Sequence, residues 1–190
     1  MDRAIRQAAS LVLQIPGLYG ERWTLKSEQL HRVLEEEDYQ LVFYPHYGVQ
    51  EYLDAFGQSH ERVTIANRQT YDVQQLLKES KVLVTDFSSV SVDFAYMGKP
   101  IVYILPDEEE YFSEHFQRGY FDFERDGFGP VTRDPESTIR AVEDILRRGC
   151  AQKPEFQARV DAFFPPRDDR YCERTFNAIQ EIVAKRRARQ

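Results

Sequence analysis

The chain has 190 residues and a formal net charge of −7, with 42% hydrophobic, 30% charged and 13% aromatic residues. This length suits one packed domain, and so many aromatics exclude a mainly disordered chain. The longest clean apolar run, Ile101 to Leu105, is far short of the ~20 residues of a membrane-crossing helix, and the acidic balance argues against a general nucleic-acid binder.

Short runs rich in β-branched and aromatic residues recur along the chain, at 11–15 (LVLQI), 40–44 (QLVFY), 62–66 (RVTIA), 81–85 (KVLVT) and 100–104 (PIVYI). Each is apolar at nearly every position, as strands buried on both faces are. Helical patterns lie between them. Residues 26–37 put Leu30, Val33 and Leu34 on one face, and 71–80 group Val73, Leu76 and Leu77. Residues 90–97 follow the fourth strand and stop at Gly98-Lys99-Pro100, a glycine and then a proline. This alternation predicts βαβ units and a parallel, doubly wound, Rossmann-like α/β sheet.

The stretch 106–130 is acidic, aromatic and glycine-punctuated, a long loop with a short helix expected at 107–116, where Asp107 to Glu110 read as a solvated helix start. Helices follow at 135–148, 154–163 and 169–185, the last with Phe176, Ile179, Ile182 and Val183 in one stripe. No internal repeat breaks this pattern, so residues 1–190 are read as one domain, with C-terminal helices over about 135–186.

In an open parallel sheet, ligands bind beyond the carboxyl ends of the strands. The segments following the strands are therefore the candidates: the glycine turn 16–22 (PGLYGER), Pro45-His46-Tyr47-Gly48, Asn67-Arg68-Gln69-Thr70, Asp86-Phe87-Ser88-Ser89 and Pro106-Asp107. The fourth leads straight into a helix. Two readings of it stand: Ser88 is simply the N-cap, or Ser88 and Ser89 add hydroxyls to an anion site on the first turn. Asp93, four residues beyond Ser89 and on the same face, suits a hydroxyl or the orientation of Ser89 better than a phosphate. His46 is either structural or an acid/base and phosphate donor. Arg118-Gly119-Tyr120 is either a surface turn or a guanidinium presented to a diphosphate. There is no Gly-x-Gly-x-x-Gly or Walker loop, and no spacing that calls for a metal or cofactor.

The string VLVTDFSSVSVDFAYMGKPIVYI (82–104) resembles the signature of the CDP-glycerol glycerophosphotransferase family, enzymes that build teichoic-acid and related capsular polymers in bacteria. YPHY (44–47), RGYFDFERDGFGP (118–130) and FFPPRDDRYCERTFNAI (163–179) resemble further family segments in the right order. Phe87 stands where a tyrosine is common, and GFGP where Pro-Gly-Pro is common. The resemblance implies the C-terminal, donor-binding half of a GT-B-like fold, without the N-terminal half that supplies acceptor contacts and a second histidine. On that basis the isolated chain is expected to be inactive. The resemblance implies that Ser88 and Ser89, next to Asp86, hold the diphosphate of CDP-glycerol. Asp93 is then essential near the donor, and His46 sits at the transferring phosphate. Arg118 and Gly119 lie near the donor phosphates, and Asn67 and Arg68 approach the cytidine. The implied reaction transfers glycerol phosphate to a hydroxyl of a polymer or lipid-linked primer and releases CMP, with CDP-glycerol as donor substrate and no cofactor.

Two rival readings remain: the C-terminal half of a GT-B glycosyltransferase using a UDP- or GDP-sugar, and a non-catalytic binding or membrane-docking module. The N-terminus (MDRAIRQAAS) lacks the apolar core of a secretory signal. Cys150 and Cys172 form no disulfide or zinc framework. The expected location is cytoplasmic, peripheral at the inner face of the membrane. The basic run Lys185-Arg186-Arg187-Ala188-Arg189 is either a favourable helix-end charge or a contact for an anionic membrane.

Overall fold

A computed structural model describes residues 9–14, 25–45, 48, 50, 60–106, 108–115, 119–164 and 168–188. His46, Asp107, Arg118 and the glycine turn at 16–22 lie outside them. The expected strands form as β1 (Ala9–Gln14), β2 (Tyr39–Phe43), β3 (Val63–Ile65), β4 (Ser80–Thr85) and β5 (Ile101–Ile104), joined by a short β6 (Val131–Thr132). All pairings are parallel, in the order β3-β2-β1-β4-β5-β6. The chain builds outward from β1 to β3, then crosses back to β4 and builds the other way, as in a doubly wound sheet.

The helices are α1 (Glu28–Glu36), α2 (Val73–Glu79), α3 (Val90–Tyr96), α4 (Glu108–Glu110), α5 (Phe123–Asp126), α6 (Pro135–Arg147), α7 (Pro154–Phe163) and α8 (Tyr171–Arg187). Their starts follow from side-chain caps. Ser27, Asp72, Asp122 and Asp134 each accept a first-turn N–H, and Pro135 follows its cap directly. One face of the sheet (Leu41, Phe43, Val82, Val84, Val102, Ile104) packs with Leu30, Val33 and Leu34 of α1 and Ile139, Val142, Ile145 and Leu146 of α6. By strand alternation Leu83, Thr85, Ile101 and Tyr103 face the other way, where α2 and α3 lie against β4.

Two units are distinguished along the chain, Met1–Val160 and Asp161–Gln190. In the second, Phe176, Ile179, Ile182 and Val183 are exposed on α8, and Lys185, Arg186 and Arg187 form its last turn. Among the described residues no helix is long and apolar enough to cross a membrane.

Three departures from the sequence expectation have local causes. First, within the helix expected at 107–116, 108–115 is the three-residue α4 followed by a π-helical turn, Tyr111–His115. Glu108 there is not a solvated start, because Arg133 binds it at 3.0 Å and binds Glu124 at 2.8 Å. Second, α5 and β6 interrupt the expected loop. Asp122 accepts the Arg125 N–H at 2.8 Å, and Asp126 accepts the Asp122 N–H at 2.9 Å, a reciprocal cap that stabilises a very short helix. Arg125 holds the Asp126 carboxyl down at about 2 by hydrogen bonding to it. Third, Lys99 does more than follow a helix stop. Gly98 takes a left-handed φ of 71° as expected, and the Lys99 ammonium then donates to the carbonyls of Leu77, Lys78 and Ser80 at 3.0, 2.7 and 2.8 Å. It satisfies the carboxyl end of α2, where the chain enters β4 without a loop.

A Cβ at Gly129 would sit 1.8 Å from the Ile101 carbonyl oxygen, whereas one at Gly119 would meet nothing within 4 Å. Gly129→Ala is therefore expected to lose about 2–3 kcal/mol in urea unfolding, and Gly119→Ala to unfold like the parent. Lys99→Met strands three carbonyl acceptors and should cost about 1–3 kcal/mol in the same measurement. The Asp126 carboxyl lies below its ordinary value, so its contribution is present above about pH 4 and is lost as pH falls toward about 2. The near-ultraviolet circular dichroism of the neighbouring aromatics should fade over that window, and Asp126→Asn should abolish the step.

Candidate functional site

The reversal of strand order falls between β1 and β4, the switch point beyond whose carboxyl ends open α/β sheets bind ligands. The segment leaving β4 there is Asp86-Phe87-Ser88-Ser89. Asp86 is only 8% exposed, and its Oδ1 accepts the Ser88 N–H at 3.1 Å, folding the chain back over the strand end. The Ser88 carbonyl accepts the Ser91 N–H at 3.2 Å and the Ser91 hydroxyl at 2.9 Å.

The helix cap lies one residue later than the Ser88 reading supposed. Ser89 is the N-cap of α3, with φ −62° and ψ −15°, and its side chain makes no capping bond. The Ser88 hydroxyl stands 3.5 Å from the Val90 nitrogen, at the long limit of a hydrogen bond. The exposed Ser89 hydroxyl and the exposed Asp93 carboxylate, in the first turn of α3, face outward from this turn. Beneath it, Thr85 is fully buried, and its Oγ1 has no hydrogen-bond partner among the described residues.

An aromatic cluster braces the turn. The Phe87 ring stacks on Tyr111 at a centroid distance of 3.8 Å and meets Phe112 and Phe123 edge-on, each at 5.6 Å. Phe123 meets Tyr103 at 5.1 Å and Phe121 at 5.4 Å, and Phe121 meets Phe128 at 5.7 Å. Such pairs contribute about 0.5–1.5 kcal/mol each beyond buried area. The 106–130 stretch is thus fastened to the β4–α3 turn by its rings. Burial raises the Tyr111 phenol pKa, and the nearby Asp86 carboxylate raises it further.

Of the residues singled out from the sequence, Asp86, Ser88, Ser89 and Asp93 come together on this one turn. Asn67 and Arg68 lie beyond β3, three strand spacings away, or about 14 Å across the sheet. The Asn67 side-chain oxygen is engaged in shaping its own loop, accepting the Gln69 N–H at 2.9 Å and the Thr70 N–H and hydroxyl at 3.0 Å each. Arg68 is exposed, and its N–H donates to Gln50 at 3.0 Å. Gly119 is exposed. His46 and Arg118 fall outside the described residues. Among those residues no group of three His, Cys, Asp or Glu side chains is arranged to hold a metal.

Sequence reasoning passed over Ser91 and Tyr103. Ser91 sits at i+3 from Ser88, the spacing of a side chain that reaches back to the start of a helix. Tyr103 is the one hydroxyl-bearing residue in an otherwise aliphatic strand, and that was the available signal.

A sequence model described as CDP-Glycerol:Poly(glycerophosphate) glycerophosphotransferase matches residues 10–181. The chain is 31% identical over 158 residues to the minor teichoic acid biosynthesis protein GgaB of Bacillus subtilis (strain 168), covering 83% of this chain and 17% of that protein. It is 26% identical over 165 residues to the teichoic acid ribitol-phosphate primase of Bacillus spizizenii (strain W23), covering 86% of this chain and 40% of that protein. Among solved structures, the wall teichoic acid polymerase TagF superposes with a TM-score of 0.63 at 20% identity, over 95% of this chain and 45% of that one. The calicheamicin glycosyltransferase CalG4 does so with a TM-score of 0.54 at 15% identity, over 82% of this chain and 37% of that one. The chain therefore spans less than half the length of each of these proteins, with a sheet and helices that are GT-B-like. The match along almost the whole chain makes it a member of the CDP-glycerol:poly(glycerophosphate) glycerophosphotransferase family.

Proposed function

We propose that the chain is the donor-binding part of a transferase that moves glycerol phosphate from CDP-glycerol to a hydroxyl of a teichoic-acid-like polymer or lipid-linked primer. The observation that carries this reading is the serine turn at the strand-order reversal, with a Ser89 hydroxyl that makes no capping bond. In this reading Ser88 and Ser89 bind the donor diphosphate with backbone N–H groups of the turn, while Asp93 accepts a hydroxyl of the glycerol or orients Ser89. His46, Arg118 and Gly119 act at the phosphates, and Asn67 and Arg68 act toward the cytidine.

The acceptor oxygen bonds to the phosphorus that carries glycerol. The bond from that phosphorus to the CMP oxygen breaks, CMP leaves, and a base takes the acceptor proton, while His46 stabilises charge on the transferring phosphate or on the leaving CMP. Positioning and charge stabilisation supply most of the rate enhancement in such transfers. The remainder of the catalytic site is assigned to the portion of the relatives that lies beyond the matched region, so the 190-residue chain alone is expected to bind donor without transferring it. Contact of the α8 basic turn with anionic lipid, at the inner face of the membrane, belongs to the same reading.

Calorimetric titration with CDP-glycerol, CDP, UDP and GDP tests it. Selective binding of the cytidine ligands is expected, and a preference for UDP or GDP would assign the chain to sugar-nucleotide transfer instead. Ser89→Ala and Asp93→Asn should each weaken CDP-glycerol binding by about 10–150-fold, in line with the loss of a hydrogen bond to a charged group, with unchanged thermal unfolding. Parent-like affinity in both variants would remove the turn from the donor site.

A further inference from the structure

One ring of the serine turn receives both ends of a long stretch of chain. Phe87 lies between Asp86 and Ser88. Tyr111 lies over it face to face, with centroids 3.8 Å apart and planes 3° from parallel. Phe112 and Phe123 meet it edge-on, at 83° and 80°, a favoured geometry for aromatic pairs. Tyr111 and Phe112 open the π-helical turn, whereas Phe123 opens α5. The two ends of the stretch from Tyr111 to Phe123 are thus brought together on a side chain of the serine turn.

The far end has further anchors. Phe123 meets the buried Tyr103 at 5.1 Å, and Phe121 meets the buried Phe128 at 5.7 Å. Phe87, Tyr111, Phe112, Phe121 and Phe123 are themselves only partly buried, so they form a satellite cluster beside the main core. Between the two ends, Gly119 and Tyr120 are exposed, Tyr120 at 88%. The Tyr120 carbonyl accepts an Arg125 Nη2 proton at 2.7 Å, which fixes its backbone next to the cluster while the ring stays in solvent. Bringing the ends of such a stretch together costs entropy. The rings offset that cost on folding, before any ligand arrives, and a surface assembled in advance binds more tightly.

We propose that Phe87 is a positioning residue for the donor: its ring clasps both ends of this stretch and holds Gly119, Tyr120 and Phe121 beside the serine turn as the second side of the donor site. Phe87 itself does not touch the donor. The clasp stands on the ring contacts, and its role in binding rests on the donor reading above.

The test uses Phe87→Leu and Tyr111→Leu in the 190-residue chain, which open the clasp from its two sides. Amide hydrogen exchange of the ligand-free protein reports the clasp directly. In both variants exchange at residues 111–115 should speed up by about 2–12-fold, the worth of one aromatic pair, while exchange in α6 stays at the parent value. The dissociation constant for CDP-glycerol should rise by a similar factor. Because the two residues share one contact, the double variant should lose no more affinity than the more affected single variant. Phe87→Tyr keeps the ring and should restore both readouts. Ile145→Val is the control: it trims a buried side chain on the other face of the sheet, and should lower the melting temperature and leave both readouts at the parent value.

Parent-like exchange at 111–115 in both leucine variants would overturn the inference. So would a Phe87→Tyr variant as loose as Phe87→Leu. When the parent binds CDP-glycerol, parent-like affinity in both leucine variants, or full additivity in the double variant, would overturn it as well. If the parent binds no cytidine nucleotide, the donor reading falls on its own, and the exchange rates alone decide whether Phe87 clasps the stretch.

Discussion

Everything in the first unit depends on β1 pairing with both β2 and β4. Its backbone runs in register with Tyr39–Phe43 on one side and with Ser80–Thr85 on the other. The chain builds away from β1 in both directions, so the strand order reverses between β1 and β4. The Asp86 turn is placed at this switch point by topology before any side chain contributes. The register with β4 also shifts between Ser10 and Leu11, where the exposed Lys81 is the extra residue beside buried Val82.

Side chains then decide how firmly that turn is held. Aromatic rings press on it from the 106–130 stretch, Asp86 closes it from within, and Ser91 fixes its carbonyl from below. The two kinds of support differ physically. Ring stacking is broad and tolerates small shifts, whereas hydroxyl bonds are directional and lose strength within a few tenths of an ångström. A turn with both is stiff in position and in orientation, a combination suited to receiving a rigid, charged group.

Much of this was legible in the sequence. The five long strands and α1, α2, α3, α6 and α7 follow from runs of Val, Ile, Leu and aromatics, from Asp and Ser caps, and from Gly98. The grouping of Asp86, Ser88, Ser89 and Asp93 follows from their place between a buried strand and a helix. Less legible was whatever depends on contacts distant in the chain. A two-residue strand such as β6 has no periodicity to read, and α5 exists because Asp122 and Asp126 cap each other around four residues. Lys99 reads as the tail of a helix stop until β4 and α2 are folded beside it. The placement of the cap at Ser89 rather than Ser88 is a one-residue difference of the kind that local propensity does not resolve.

The Lys99 ammonium has a consequence for how the molecule assembles. Its three bonds join residues separated by 19 to 22 positions, a short loop with a small closure entropy. They tie the end of α2, the start of β4 and the end of α3 into one helix–strand–helix segment of low contact order. Such local segments form readily before distant strands have met. The strand they enclose is central, with β1 and β5 as its neighbours. The segment that carries the serine turn is therefore also the natural template on which the two halves of the sheet condense.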